Sequence, residues 1–440
     1  MRESPGRTRR AVLAGAGAAV TASLAGCSGL PFGESRTTVT GEQVSAILAE
    51  EPPSIPDRLP VAFAASYLDG TESDLESALA SVPAPFDAAA VPNGAMRDHL
   101  NRSAAAAREA LAGADEEPTP TERAGSLRHA RREIGYVAGG WAAIDGDRTI
   151  PDVRDDGEAL REELGAFRDR WAHLGADAIE AAVVNDAIAG LVRSCIGDLN
   201  RVLTTEERDT TTALDVAEAD EHLASARGEL RDAAHLLDRL RGGDGVRDRR
   251  DALASAADAL VDHVGERRID AGLDEGPFTA EADREAPPAE RALRDLRDDV
   301  RRGDLGETLE SGAFPQTIVG AHGTLAQIGA VETLRSRVDS GEAIDPASAA
   351  DVDTMRTRAR EAVVTVHEEG EYPRLDRLQT HRLAAVLRYV DERLARVDAD
   401  DEVALSRLDW ELRDLVRAEA VARSVGDASV AVARALGEAD

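Results

Sequence analysis

From residue 41 onward, apolar side chains recur every three or four positions through long windows, the spacing that gathers them on one face of an α-helix. The cleanest window is 212–241. There Val216, Leu223, Leu230 and Leu237 fall seven apart, interleaved with Ala219, Ala226, Ala233 and Leu240, and Gly242-Gly243 stops the run. Alanine on one side of that seam lets a neighbouring helix approach closely. Similar stripes run through Leu160, Leu164, Phe167, Trp171 and Leu174, and through Ile188, Leu191, Cys195, Leu199 and Val202. A third runs through Leu383, Leu387, Val390, Leu394 and Val397, and the spacing carries this last helix on through Leu405, Leu408, Leu412 and Leu415. No period-two alternation is sustained, so few or no strands are expected.

Clusters of Pro, Gly and Asp at 51–60, 114–121, 145–155, 204–211, 242–247, 270–289 and 339–346 set the helix boundaries. The pattern predicts an all-α fold, an antiparallel bundle of long amphipathic helices joined by short connections. The longest polar, proline-bearing interruption lies around Gly272–Pro288. It divides a bundle at 41–270 from a second helical unit at 290–440, or else forms a long surface loop on one continuous bundle. The charge-free stretch Ser311–Val331 is long enough to span a bilayer. It holds Pro315, His322, two Gln and four Gly, and reads as a buried helix instead.

Composition narrows the chemistry. All 52 basic residues are Arg, against 84 Asp and Glu, for a formal net charge of −32. A P-loop, a kinase phosphate clamp, a pyridoxal Schiff base and a Ser-x-x-Lys acylase all need an ammonium group, and none is present. The acid excess without Lys resembles the proteins of salt-in halophilic archaea, although GC-rich codon usage gives the same Arg and Ala bias. Such a surface repels a phosphate backbone, so nucleic acid is not an expected partner.

The first 27 residues read as an address. Arg2, Arg7, Arg9 and Arg10 precede an uncharged, Ala/Gly-rich run at 11–26 that is short for a membrane span. Thr8-Arg9-Arg10-Ala11-Val12-Leu13 resembles the twin-arginine export motif, with Arg9 and Arg10 as its pair. Leu24-Ala25-Gly26-Cys27 resembles the lipobox of exported lipoproteins, which implies lipid attachment at Cys27. Residues 28–40 then form a polar, flexible tether. The resemblance covers only this leader. It implies a chain exported folded and held on the external face of the cytoplasmic membrane by a lipid anchor.

Catalytic motifs are scarce. None of the nine His lies three, four or five residues from another, which removes zincin and local zinc-finger patterns. A di-iron bundle needs paired Glu-x-x-His motifs, and only Asp232-x-x-His235 comes near one. His129 and Glu133, one helical turn apart, read as a solvated pair. No catalytic residue, metal or cofactor is expected. Cys195 sits on an apolar stripe as a buried thiol. Two charge-free, glycine-bearing segments stand out, Ile134–Ile144 and Ser311–Val331. Facing each other, they would leave a pocket around Tyr136, Trp141 and His322. Asn101-Arg102-Ser103 is a glycosylation sequon. The leading expectation is a lipid-anchored, non-enzymatic binding or interaction module whose Ala-rich faces suit other surface or membrane proteins. The alternative is an exported enzyme or a metal- or solute-binding protein with its site assembled between helices.

Overall fold

The computed structural model describes residues 38–49, 55, 61–206, 211–273, 286–340, 346–398 and 400–439. The export pair Arg9-Arg10, Cys27 and the tether up to residue 37 lie outside them. Strand β1 (Thr38–Thr40) leads into α1 (Gly41–Leu48). Then come α2 (Ala65–Ala80), α3 (Gly94–Ala114), α4 (Pro120–Asp145), α5 (Ile150–Arg170), β2 (Leu174–Gly175), α6 (Ala178–Thr204) and α7 (Ala213–Arg241). After β3 (Arg247–Asp248) follow α8 (Arg250–Asp270), α9 (Pro288–Arg302), α10 (Leu305–Glu310), α11 (Phe314–Asp339), α12 (Ala349–Glu369) and α13 (Pro373–Leu394). Strand β4 (Glu402–Ala404) and a short 3-10 turn precede α14 (Asp409–Ala435). The fold is an all-α helical bundle. No helix among the described residues is long and apolar enough to cross a membrane.

Local sequence starts these helices where the polar punctuation falls. Thr149 and Thr212 each cap a helix reciprocally with the Asp three residues on, and Thr119 caps α4 ahead of Pro120. Each cap satisfies amides that the first turn leaves without partners, worth about 1 kcal/mol apiece. At the far end of α7, Gly242 closes the helix where the glycine pair predicts a stop.

Packing gathers the helices around two large cores. The first takes its buried side chains from α2 to α7, with a small satellite at Val82, Phe86, Val91, Leu100, Ala104 and Val137. The second is built from α1, α8, α9 and α11 to α14. Helix α6, 27 residues long, serves both. Ala178–Val183 pack into the second core, and Ile188 to Val202 into the first.

Four boundaries differ from the sequence reading. The tether's last residues are ordered: Thr38–Thr40 pair antiparallel with Glu402–Ala404, and Val39 is buried in the second core. Helix α1 belongs to that core too, so the described residues begin in the second core, build the first, and return. The cores part between α7 and α8, ahead of the expected interruption at 270–289, because Leu253, Ala256, Leu260 and Val264 of α8 pack toward α11 and α14. Finally, the stripe from Leu383 to Leu415 is not one helix. It ends at Leu394, where the acidic run Asp398–Glu402 intervenes, and a new helix starts at Asp409.

Candidate functional site

Tyr136 and Trp141 are not brought to His322. The first two flank the satellite core, where the Trp141 and Phe86 rings lie 5.3 Å apart, whereas His322 is fully buried in the second core. The glycines expected to open a pocket are filled by neighbouring helices. A Cβ at Gly135 would lie 2.6 Å from Ala224 Cβ, and one at Gly139 would lie 2.4 Å from Asp220 Cβ, so α7 occupies that space. On α11, Gly320 and Gly329 are closed in the same way by Leu305 and Ser424.

His322 belongs to a buried polar chain. Ser429 Oγ donates to Asp376 Oδ1 at 2.6 Å, and His322 Nε2 lies 2.9 Å from Ser429 Oγ. Gln379 Nε2 approaches His322 Nδ1 at 3.4 Å. With the hydroxyl hydrogen committed to Asp376, Nε2–H must donate to Ser429 and Nδ1 must accept from Gln379. The set has the composition of a hydrolytic triad but the opposite wiring, because the imidazole donates a hydrogen bond to the hydroxyl instead of accepting one from it. Burial, with Arg382 adding repulsion, lowers the His322 pKa to about 3, and the ring stays neutral.

The other candidates are structural in their contacts. Asn101 clamps the backbone of Phe86, accepting from its amide at 2.7 Å and donating to its carbonyl at 3.1 Å. Cys195 is free and fully buried, and burial pushes its thiol up to about 12. His235 Nε2 accepts from the Ala64 amide, its ring stacks on Tyr67 at 4.0 Å, and Asp232 accepts from the Tyr67 hydroxyl. No group of three or more His, Cys, Asp or Glu among the described residues has the geometry to hold a metal ion. His129 lines an open groove of about 570 Å³ between α3 and α4; of its three acids Glu109 is exposed, and Glu117 and Glu122 accept hydrogen bonds from Ser126 and Thr119.

The groups left uncommitted lie elsewhere, in a cleft of about 430 Å³ where α4, α6 and α7 of the first core meet α13 of the second. One lip is the segment before α2. The Val61 amide donates to Thr121 at 2.8 Å, and Arg239 reaches the Ala62 carbonyl at 3.2 Å. These bonds hold the segment that brings Phe63 into the apolar lining of the cleft, which Leu378 shares. Two acids line the cleft, Asp186 on α6 and Glu229 on α7. Glu229 is only 8% exposed, and its Oε2 has no hydrogen-bond donor. Burial raises its pKa to about 7, helped by Asp198 and opposed by a hydrogen bond from the Ser194 side chain and by the charge of Arg128. Asp186 is raised to about 6 by burial, with Arg382 and Arg193 pulling the other way. His381 Nδ1 lies 2.7 Å from the Arg377 carbonyl, which fixes the proton on that nitrogen and leaves Nε2 bare. Arg128 is paired with Asp232, and Arg382 is exposed. Ligand sites favour such inter-unit crevices, and acids displaced toward neutrality favour functional sites.

Two families match the chain. Residues 66–246 match the Domain of unknown function DUF8262, and residues 250–434 match the Domain of unknown function DUF8264. The matches abut where α7 gives way to α8, and the cleft lies between them, with α4, α6 and α7 in one and α13 in the other. No curated protein and no solved structure matches the chain.

Proposed function

We propose that this chain is an exported, lipid-anchored helical binding module that holds a small ligand between its two cores on the external face of the cytoplasmic membrane. The binding half of this reading is carried by the cleft. There, two acids and an apolar wall converge, and a buried carboxylate oxygen lacks a donor. The location rests on the order of Arg9-Arg10, the uncharged run and Cys27 in the sequence. A non-catalytic role is favoured because the Ser429–His322–Asp376 chain is wired against nucleophile activation.

Fractionation tests the location. The wild-type chain should sediment with membranes and leave them with detergent, Cys27→Ser should be released into the soluble exported fraction, and Arg9→Gln with Arg10→Gln should accumulate inside the cell. A Cys27→Ser protein that stays on the membrane would remove the anchor from this reading.

A further inference from the structure

Resting on the cleft's role as a binding site, we propose that its ligand class is the small organic cation, an aliphatic molecule whose protonated amine is received by Glu229 and Asp186. The argument begins with what each side chain lacks. Glu229 Oε2 is buried without a donor, and Asp186, half-buried, lines the same cleft. Both are acceptors when ionised, so the molecule that completes them brings N–H or O–H donors. Burial penalises their ionised forms, and a positive charge in the cleft offsets that penalty directly.

The cationic side chains in reach do this only in part: Arg128 favours the ionised form of Glu229, and Arg382 and Arg193 that of Asp186, without outweighing burial. Arg128 is drawn to Asp232, which also accepts from the Tyr67 hydroxyl. Arg382 is exposed and forms no ion pair with Asp186. Val61, Phe63, Leu191, Leu236 and Leu378 give the cleft an apolar wall, which suits an aliphatic chain behind the ammonium. A volume of about 430 Å³ admits a ligand of small-metabolite size and excludes a folded partner.

Four probes of one length and different charge test this: n-butylammonium, 4-aminobutanoate, n-butanol and n-butyrate. Each is titrated calorimetrically into the full chain at about pH 8, in the lowest salt that keeps it folded. Both ammonium probes, or n-butylammonium alone, should saturate the cleft at least about tenfold more tightly than n-butanol, with n-butyrate weakest. Glu229→Gln should weaken n-butylammonium about tenfold or more, and Asp186→Asn should weaken it as well. Glu229→Gln keeps the shape of the side chain and removes a buried charge, so the variant stays folded, as its circular dichroism will show. Butyrate or butanol binding as tightly as butylammonium would overturn the cation and leave the cleft as a binding site for another class. Unchanged affinity in both variants would place the amine elsewhere. Absence of binding by any probe would remove both the ligand class and the binding role of the cleft.

Discussion

At the scale of single residues, the cleft acids carry a cost that can be measured without knowing a ligand. A carboxyl whose pKa is raised on folding binds a proton more tightly in the native state. The native state is therefore favoured below the unfolded value, and that advantage is lost as pH rises through the folded value. For Glu229 the window runs from 4.5 up to about 7. Glu229→Gln is thus expected to be more stable than the wild type at about pH 8, by roughly 1–2 kcal/mol after allowance for solvent screening. The gap should close near pH 4.5. Thermal melts of the two proteins across that range check it, and a gap that widens toward acid would contradict the buried-charge account. Neither acid was marked by sequence reasoning, since with 84 carboxylates one more carries no signal by type. Position did carry one. Glu229 lies three residues after Ala226 and four before Ala233, on the inward side of α7, a side that also buries Asp220, Ser225 and Asp232. His322 drew notice because His is rare here, yet its partners Asp376 and Ser429 come from helices far along the chain, and no local spacing announces them.

At the scale of elements, the helices were legible and their meetings were not. Period and the Gly242-Gly243 stop located α7 almost to the residue, since a three-to-four-residue stripe and a glycine pair are local signals. The glycines of α4 show the limit of that logic. Glycine costs a helix interior about 1 kcal/mol against alanine, so Gly135, Gly139 and Gly140 in one helix mark either empty space or close contact, and sequence does not distinguish them. The structure assigns close contact with α7 and α3. Gly139→Ala should therefore destabilise the fold by about 1–3 kcal/mol through overpacking against Asp220, which also carries the bidentate pair to Arg148. Gly165 on the exposed face of α5 has nothing within 4 Å of its would-be Cβ. Gly165→Ala should accordingly stabilise by about 0.5–1 kcal/mol. Denaturant midpoints measured on the pair decide the matter, because helix propensity alone gives both substitutions the same sign. The break between α13 and α14 was missed for a related reason. Leucines at helical spacing resume beyond the acidic run, so the apolar pattern outlives the helix that began it.

At the scale of the whole molecule, the chain closes on itself. Strand β1 pairs with β4, Glu438 accepts from the Ala178 amide at the start of α6, and Arg374 on α13 bridges to Asp177 and Glu180. With α6 contributing to both cores, neither core exposes its face without disturbing the other, which predicts one cooperative unfolding transition. Salt acts on this molecule through two opposing terms. Screening weakens ion pairs such as Arg123 with Glu72 or Arg374 with Glu180, and partly exposed pairs of that kind are worth roughly 0–1 kcal/mol each. It also relieves the mutual repulsion left by a formal charge of −32, since pairing every Arg with one carboxylate would still leave that many acids without a basic partner. The repulsive term spans the whole surface, whereas each ion pair acts locally, so relief should dominate. Raising KCl from about 0.1 M to about 3 M, where the screening length falls below ~3 Å, is expected to raise the melting temperature on the order of ten degrees. Calorimetric scans over that series would show one transition moving upward. A midpoint that falls with KCl would mean that the ion pairs outweigh the surplus charge, and would separate the acid-rich composition from any adaptation to brine.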